Sequence, residues 1–259
     1  MIDGLPTGLQ KLETLVEAMQ RSDLVILVVP PVLNQASLVH SIALNAAISG
    51  RHGVALFSPA VSKYRLVQRL LAMSAGIDVH CLRTGQVSDD ERRHVMATAS
   101  KLSTTHLWID DTSDLSLEML RQRVQQLAER HDVALVIVDH VYLLRLSAES
   151  TRDGDPWQDM YDMSRGLRTL THALNIPVVA VAPLSHTIET LRQRTRQRSG
   201  IPDHSPEAET EHIIFLHRDD PSLVEPTNSH LIIATLLITK ERDGLVSEVE
   251  ISTHADHSV

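Results

Sequence analysis

Aromatic residues, cysteines and long apolar runs are all scarce in this sequence of 259 residues. Phe, Trp and Tyr make up only 3% of the chain, so a core must be built from Leu, Val, Ile and Ala. The single cysteine, Cys81, excludes an internal disulfide and fits a reducing, cytoplasmic location. No apolar run reaches the ~18 residues that a membrane-spanning helix needs, and the N-terminus does not read as a signal peptide.

A surplus of positive charge is also missing. The 24 Lys and Arg residues are outnumbered by 33 Asp and Glu residues, which gives a formal net charge of −9. Proteins that coat DNA unaided usually carry a basic surface. We therefore expect any DNA contact to be local or made within a larger assembly.

Segments typical of strands and of helices alternate along the chain. Apolar runs predict strands at 23–30, 53–58, 106–111, 133–140 and 176–183. Periodic stretches predict helices at 36–49, 62–75, 88–101, 115–131 and 157–174. Ser62 is predicted to be an N-cap, and Ser88 and Glu91 have the spacing of a capping box.

The C-terminal part of the chain changes character. Loops are predicted at 146–156 and 186–208, followed by strand-like segments at 211–218, 229–240 and 245–253 and a frayed tail at 254–259. The pattern predicts an α/β fold: a doubly wound, mostly parallel sheet with an antiparallel C-terminal extension. The length suits a single domain over residues 1–253.

The loop after the first strand raises a question about nucleotide binding. A strand–loop–helix arrangement of this kind commonly cradles phosphates with glycine backbone N–H groups, a lysine and a metal-binding hydroxyl. The stretch here, VVPPVLNQAS at 28–37, has no glycine and no lysine, and its first hydroxyl is Ser37.

Seven further stretches occur in order between residues 4 and 253. They are GLPTGLQKLE, LRTGQVSDDE, WIDDTSDLSLEMLRQRVQQL, ALVIVDHVYLL, LTHALNIPVVAVAPLS, FLHRDD and ITKERDG. Together they resemble the C-terminal motor domain of DnaB-family replicative helicases. The resemblance implies a RecA-like fold, a hexameric ring, ATP bound between subunits and single-stranded DNA in the central channel. It also leads us to expect that this chain lacks the N-terminal helical domain and the linker helix of the family.

The resemblance assigns roles in the nucleotide site to positions of this sequence. Where the family loop ends in Gly-Lys-Ser/Thr, the matching residues are Asn34, Gln35 and Ala36. Gln35 carries no charge and Ala36 cannot bind a metal. The acidic residue associated with Mg²⁺ is kept as Asp139, although an Asp at a strand end is also a common capping or loop residue.

Three other catalytic positions of the family are substituted as well. The glutamate that polarises the attacking water is replaced by Ala60, and the glutamine that senses the γ-phosphate is replaced by Pro183. A second glutamine, three residues after the metal-associated acid, becomes Tyr142. We therefore expect the chain's own nucleotide site to be inactive, with no cofactor, unless a rearranged loop still binds ATP and Mg²⁺.

Two groups of basic residues match functional regions of the family. Lys240 and Arg242 match a Lys-x-Arg pair that reaches the γ-phosphate of the neighbouring subunit, although such a pair near a hairpin turn can also be a solvated edge strand. Four arginines occupy alternate positions near the DNA-facing loops of the family: Arg192, Arg194, Arg196 and Arg198. In an extended segment they would share one face and track phosphates, whereas a solvated charged loop is the alternative.

These observations lead to one main hypothesis and two alternatives. The first is a catalytically degenerate DnaB-like domain that acts on an active replicative helicase as a loader, an inhibitor or an inactive ring subunit. The alternatives are a divergent ATP-dependent helicase and a module that binds single-stranded DNA through the arginine cluster. No His, Cys or carboxylate spacing predicts a metal centre.

Overall fold

A computed structural model of the chain describes residues 20–29, 35–146, 156–183, 212–217, 231–240 and 247–254. The loop segments predicted at 186–208 and in most of 146–156 lie outside the described residues, as does most of the C-terminal tail. The single-domain boundary at residue 253 stays a prediction.

Eight strands form one sheet with the order β3-β2-β4-β5-β1-β6-β7-β8. The strands are β1 Leu24–Val29, β2 Gly53–Phe57, β3 Leu107–Asp110, β4 Val133–Val138, β5 Val178–Pro183, β6 His212–His217, β7 Leu231–Lys240 and β8 Ser247–His254. The first six strands are parallel, and β7 and β8 are antiparallel to their neighbours. The predicted fold class, a mostly parallel sheet with an antiparallel extension, is confirmed.

Six α-helices connect the parallel strands. They are α1 Gln35–Leu44, α2 Lys63–Ala75, α3 Val79–Thr84, α4 Asp89–Ser103, α5 Leu117–Arg130 and α6 Pro156–Leu174. A π-helical turn, Asn45–Ser49, follows α1, and a 3₁₀ turn, Val141–Leu143, follows β4.

The core lies in two layers because the sheet is covered on both faces. Val25, Leu27 and Val29 of β1 face one layer with residues of α1 and α2. Leu24, Ile26 and Val28 face the other layer with residues of α5 and α6. Each fully buried aliphatic side chain contributes about 2 kcal/mol of transfer free energy. A strand buried on both faces reads as a continuous apolar run, which is why the sequence predicted β1 clearly.

Some helix boundaries differ from the prediction. The helix predicted over 36–49 ends as an α-helix at Leu44, and the next turn widens so that Gly50 N–H donates to the carbonyl of Asn45, five residues back. Short helix α3 was not predicted. It is capped by the Asp78 carboxylate, which accepts hydrogen bonds from the backbone N–H groups of His80 and Cys81.

The two predicted N-caps have different outcomes. The capping box of α4 is confirmed, because the Ser88 hydroxyl and the Glu91 side chain accept each other's backbone N–H. This hydrogen bonding lowers the pKa of Glu91. Ser62 occupies the N-cap position of α2, but its side chain caps nothing. Instead, Lys63 N–H donates to the Asp111 carboxylate over 2.8 Å, from the loop after β3.

Candidate functional site

The candidate site lies at the carboxyl edge of the parallel strands. In the sheet, β5 lies between β1 and β4, and β2 is the next strand beyond β4. The strand ends are level, because Val29 pairs with Pro183 and Phe57 pairs with Val138. The segments that follow β1, β2 and β4 therefore leave the sheet at one edge, where open α/β sheets bind ligands.

Asp139, the first residue after β4, is buried at this edge, with 3% of its surface exposed. Its backbone N–H donates to the carbonyl of Phe57 over 2.8 Å. Its Oδ2 accepts a hydrogen bond from the Ser58 hydroxyl at 3.1 Å, and its Oδ1 lies 3.8 Å from Nε2 of His140. Burial raises the pKa of the carboxyl, although His140, Ser58 and Arg69 each oppose that shift. The ionised carboxylate is therefore costly in this position.

Ser58 is a member of the site that sequence reasoning missed. It follows β2 directly, is fully buried and donates its backbone N–H to the carbonyl of Asp110 at 2.8 Å. The only available signal was its position, since a polar residue directly after a buried strand lies at the same edge as Asp139. Its hydroxyl proton satisfies one oxygen of the acid that the family resemblance connects with Mg²⁺.

The backbone around Asp139 is fixed by unusual geometry and by pairing. His140 has a left-handed conformation with φ of 66°, which costs free energy for a residue with a side chain and occurs often at functional sites. The turn after it is held to the start of α5, where Leu117 N–H donates to the Arg145 carbonyl over 2.8 Å. Asp139 is thus positioned by both neighbouring strands and by the following turn.

The substituted positions are distributed around the same edge. Gln35 and Ala36 form the start of α1, while Asn34 lies outside the described residues. Ala60 is exposed in the turn after β2, and Pro183 ends β5. The structure thus brings Gln35, Ala36, Ala60 and Pro183 to the edge that carries Asp139.

Two further charged or polar groups lie near this edge and were not predicted. His40 of α1 is buried, with 1% of its surface exposed, and its Nε2 has no hydrogen-bond partner. Burial, assisted by the charge of Arg69, lowers the pKa of His40 to about 4. Arg69 of α2 is half-buried and acts electrostatically on both His40 and Asp139. The helix pattern gave no signal for either role.

His40 should make the protein sensitive to acid. Its imidazole stays neutral in the folded state down to about pH 4, whereas in the unfolded chain it is protonated below about 6.5. The free energy of unfolding should therefore fall as the pH drops from 6.5 to 4, by up to about 3 kcal/mol from this residue. Urea unfolding at several pH values should show a correspondingly shallower loss for His40→Met. The matched variant His94→Met, at an exposed position of α4, should retain the wild-type slope; equal slopes for His40→Met and wild type would contradict the prediction.

Lys240 lies at the opposite edge of the sheet. It is the last residue of β7, an antiparallel strand, and it pairs with Ile213 at the beginning of β6. Three strands, β6, β1 and β5, separate β7 from β4. The structure therefore does not bring Lys240 to Asp139 of the same chain. Arg242 lies outside the described residues, as do Arg192, Arg194, Arg196 and Arg198.

Two kinds of feature are absent from the described ranges. They contain no group of three or more His, Cys, Asp or Glu side chains arranged to hold a metal ion. None of their helices has the length and the apolar character needed to traverse a bilayer.

The fold and the position of the site define a RecA-like α/β domain. Comparison with known proteins identifies the family: residues 4–258 match the DnaB-like helicase C terminal domain. Because this match covers nearly the whole sequence, the chain belongs to that family. It is thus a DnaB-like replicative helicase domain of DNA replication, and the resemblance seen in the sequence is confirmed.

Individual relatives agree with this assignment. The chain is 29% identical over 252 residues to the replicative DNA helicase DnaB of Geobacillus stearothermophilus, covering 97% of this chain and 55% of the relative. It is 28% identical over 252 residues to the replicative DNA helicase DnaC of Bacillus subtilis, with the same coverage of 97% and 55%. The chain therefore spans about half the length of these relatives.

Solved structures share the fold at low sequence identity. A separately solved ATPase domain superposes with a TM-score of 0.79 at 22% identity, covering 96% of this chain and 87% of that domain. A DnaB-like replicative helicase, studied with its interactions with primase, gives a TM-score of 0.79 at 22% identity and covers 96% of this chain and 59% of its own.

Proposed function

We propose that this chain is a catalytically degenerate DnaB-like domain that acts in DNA replication by interacting with an active replicative helicase. The observation that carries the proposal is the composition of the carboxyl edge. Asp139 is kept there, but it is buried and hydrogen-bonded to Ser58. The residues around it, Gln35, Ala36, Ala60 and Pro183, offer no positive charge, no metal-binding hydroxyl and no carboxylate.

These residues do not fit Mg²⁺ and ATP. A magnesium ion in such a site is held by carboxylate and hydroxyl oxygens together with the nucleotide phosphates. Here one oxygen of Asp139 already accepts the Ser58 proton at 3.1 Å, and Ala36 stands where the family has a hydroxyl. Burial also raises the pKa of Asp139, which weakens it as an anionic ligand.

The same chain keeps the basic pair of the family. Lys240 ends a strand at the amino edge of the sheet, far from Asp139 in the strand order, and Arg242 follows two residues later. A basic pair that is remote from its own nucleotide edge supports action on a neighbouring subunit. We infer that Lys240 and Arg242 serve as trans fingers for the ATP site of an adjacent, active chain.

This division of labour leads to three related roles. In a mixed ring the chain would be an inactive subunit whose own interface cannot turn over ATP. As a loader or an inhibitor it would contact a DnaB-type helicase transiently. Its partners would then be a DnaB-type replicative helicase or a second copy of itself, with single-stranded DNA contacted through Arg192, Arg194, Arg196 and Arg198. Within this proposal residues 1–253 act as one domain.

A divergent ATP-dependent helicase is the second candidate. Two observations favour it: Asp139 lies at the expected edge, and the relatives at 29% and 28% identity are named as replicative DNA helicases. In that case ATP and Mg²⁺ would be held by a loop arrangement different from that of the family.

ATP hydrolysis measured on the chain alone and in mixtures with an active DnaB-type hexamer separates the candidates. Hydrolysis by the chain alone that is lost in Asp139→Ala supports the helicase and contradicts the degenerate site. Silence alone, with a change in the rate of the hexamer that depends on Arg242, supports the proposed function. Silence in both arms contradicts the proposed partnership.

A further inference from the structure

Three aromatic side chains stack at the amino edge of the sheet, opposite the candidate site. Trp108 of β3 stacks on the ring of His131, with centroids 4.8 Å apart and an interplanar angle of 30°. His106 lies on the same indole at 5.9 Å, with an angle of 37°. We call these three residues the histidine–tryptophan cluster. Both histidines are exposed and Trp108 is half-buried, so the cluster presents ring surface to solvent.

The fold builds this cluster from three neighbouring strands. β2 lies between β3 and β4, so the residues that precede these strands meet at one edge. The backbone N–H of Val54 donates to the carbonyl of His106 at 2.8 Å. A Cβ atom at Gly53 would lie 2.1 Å from the Asp132 carbonyl oxygen and 3.0 Å from the Trp108 ring. The absence of a side chain at Gly53 therefore lets the indole and the β4 entry approach β2.

Basic residues surround the cluster. Arg51 precedes β2, Arg130 is next to His131, and Lys101 lies in the last turn of α4, which leads into β3. All three are exposed, and the exposed acids in the same segments are Glu129 and Asp132. Glu129 already accepts a hydrogen bond from Gln125 at 3.0 Å. In a chain with a net charge of −9, this edge combines a local cationic excess with stacked, solvent-facing rings.

We propose that the histidine–tryptophan cluster binds single-stranded DNA by stacking its bases, while the adjacent cations contact the phosphates. Aromatic rings accept any base, and each stacked base contributes a substantial part of the affinity. Lys and Arg beside the rings bind the backbone by releasing counterions. A protein partner fits less well, because the centres of protein interfaces are depleted of Lys and Glu and this surface carries both.

This site is separate from both sites considered above. It lies across the sheet from Asp139, on strands β2, β3 and β4, and it includes none of the arginines at positions 192–198. It does not depend on the proposed loss of ATP turnover, so the two proposals can fail independently.

Trp108 fluorescence tests the proposal directly. In a Trp157→Phe background, Trp108 is the remaining tryptophan. Titration with an oligo-dT of about 20 nucleotides in about 50 mM salt should quench it. The double variant His106→Ala/His131→Ala should bind about tenfold more weakly, as measured by anisotropy of a labelled oligonucleotide. The matched control, His80→Ala/His94→Ala, removes two exposed histidines of α3 and α4 and should bind like the parent.

Other variants and ligands decide the remaining outcomes. Replacing the four arginines at 192–198 by alanine should leave the Trp108 quenching in place, and duplex DNA of the same length should quench less. Equal affinity of the cluster variant and its control, or the absence of any quenching at low salt, would overturn the proposal. Quenching by a DnaB-type hexamer without DNA would also overturn it, in favour of a protein contact. The thermal midpoints of the variants identify any loss of folding.

Discussion

Purified chain is expected to hydrolyse ATP at least about a thousand times more slowly than an active DnaB-type hexamer measured in parallel. Removing one transition-state donor typically lowers the rate by ~10²–10³. Here the lysine, the metal hydroxyl and the catalytic glutamate are replaced by Gln35, Ala36 and Ala60. Such losses are not additive, but the first of them alone is enough for the expected result.

The control for this prediction is Asp139→Ala. A trace of contaminating helicase would give hydrolysis that is the same for wild type and for the variant. A rate that approaches that of the hexamer and disappears in Asp139→Ala would identify a working site and contradict the proposed function.

The second large effect is expected in trans. When the chain is mixed with an active hexamer, we expect the rate of ATP hydrolysis per active subunit to change, and the change to be lost in Arg242→Ala. An arginine supplied to a neighbouring site is worth ~10³–10⁵ in rate at that interface. Lys240→Ala should act in the same direction with a smaller effect, because a lysine contacts phosphate as a point charge.

A matched surface substitution defines the specificity of this result. Arg92 is an exposed arginine of α4, and Arg92→Ala should behave like wild type in the mixture. If Arg242→Ala and wild type changed the rate of the hexamer equally, the contact would not involve the basic pair. If neither changed it at any ratio of the two proteins, the proposed partnership would be wrong.

Local patterns predicted most of the fold. The strands β1, β2, β4 and β5 are buried on both faces and appear in the sequence as uninterrupted apolar runs. The capping box at Ser88 is equally local, since both hydrogen bonds lie within three residues. The π-helical turn at Asn45–Ser49 could not be predicted, because it depends on how Ala46 and Ala47 pack into the core.

The site was predicted only where position in the chain carried the information. Asp139 ends a buried strand, and its location followed from that. Its hydrogen bond with Ser58 joins residues 81 positions apart, and the Asp111 cap of α2 joins residues 48 positions apart. Neither contact leaves a local pattern. The burial of His40 and the stacking of Trp108 with His131 likewise come from tertiary packing.

The loss of the nucleotide site is tested most directly by equilibrium binding. Thermal unfolding of the chain should be followed with and without an excess of ATP and Mg²⁺, because a ligand that binds only the folded state raises its stability by RT ln(1 + [L]/Kd). The proposed function predicts an unchanged midpoint for wild type and for Asp139→Ala. A ligand at about a hundred times its Kd would stabilise the fold by about 2.7 kcal/mol. A rise in the midpoint of several degrees that is lost in Asp139→Ala would contradict the central claim.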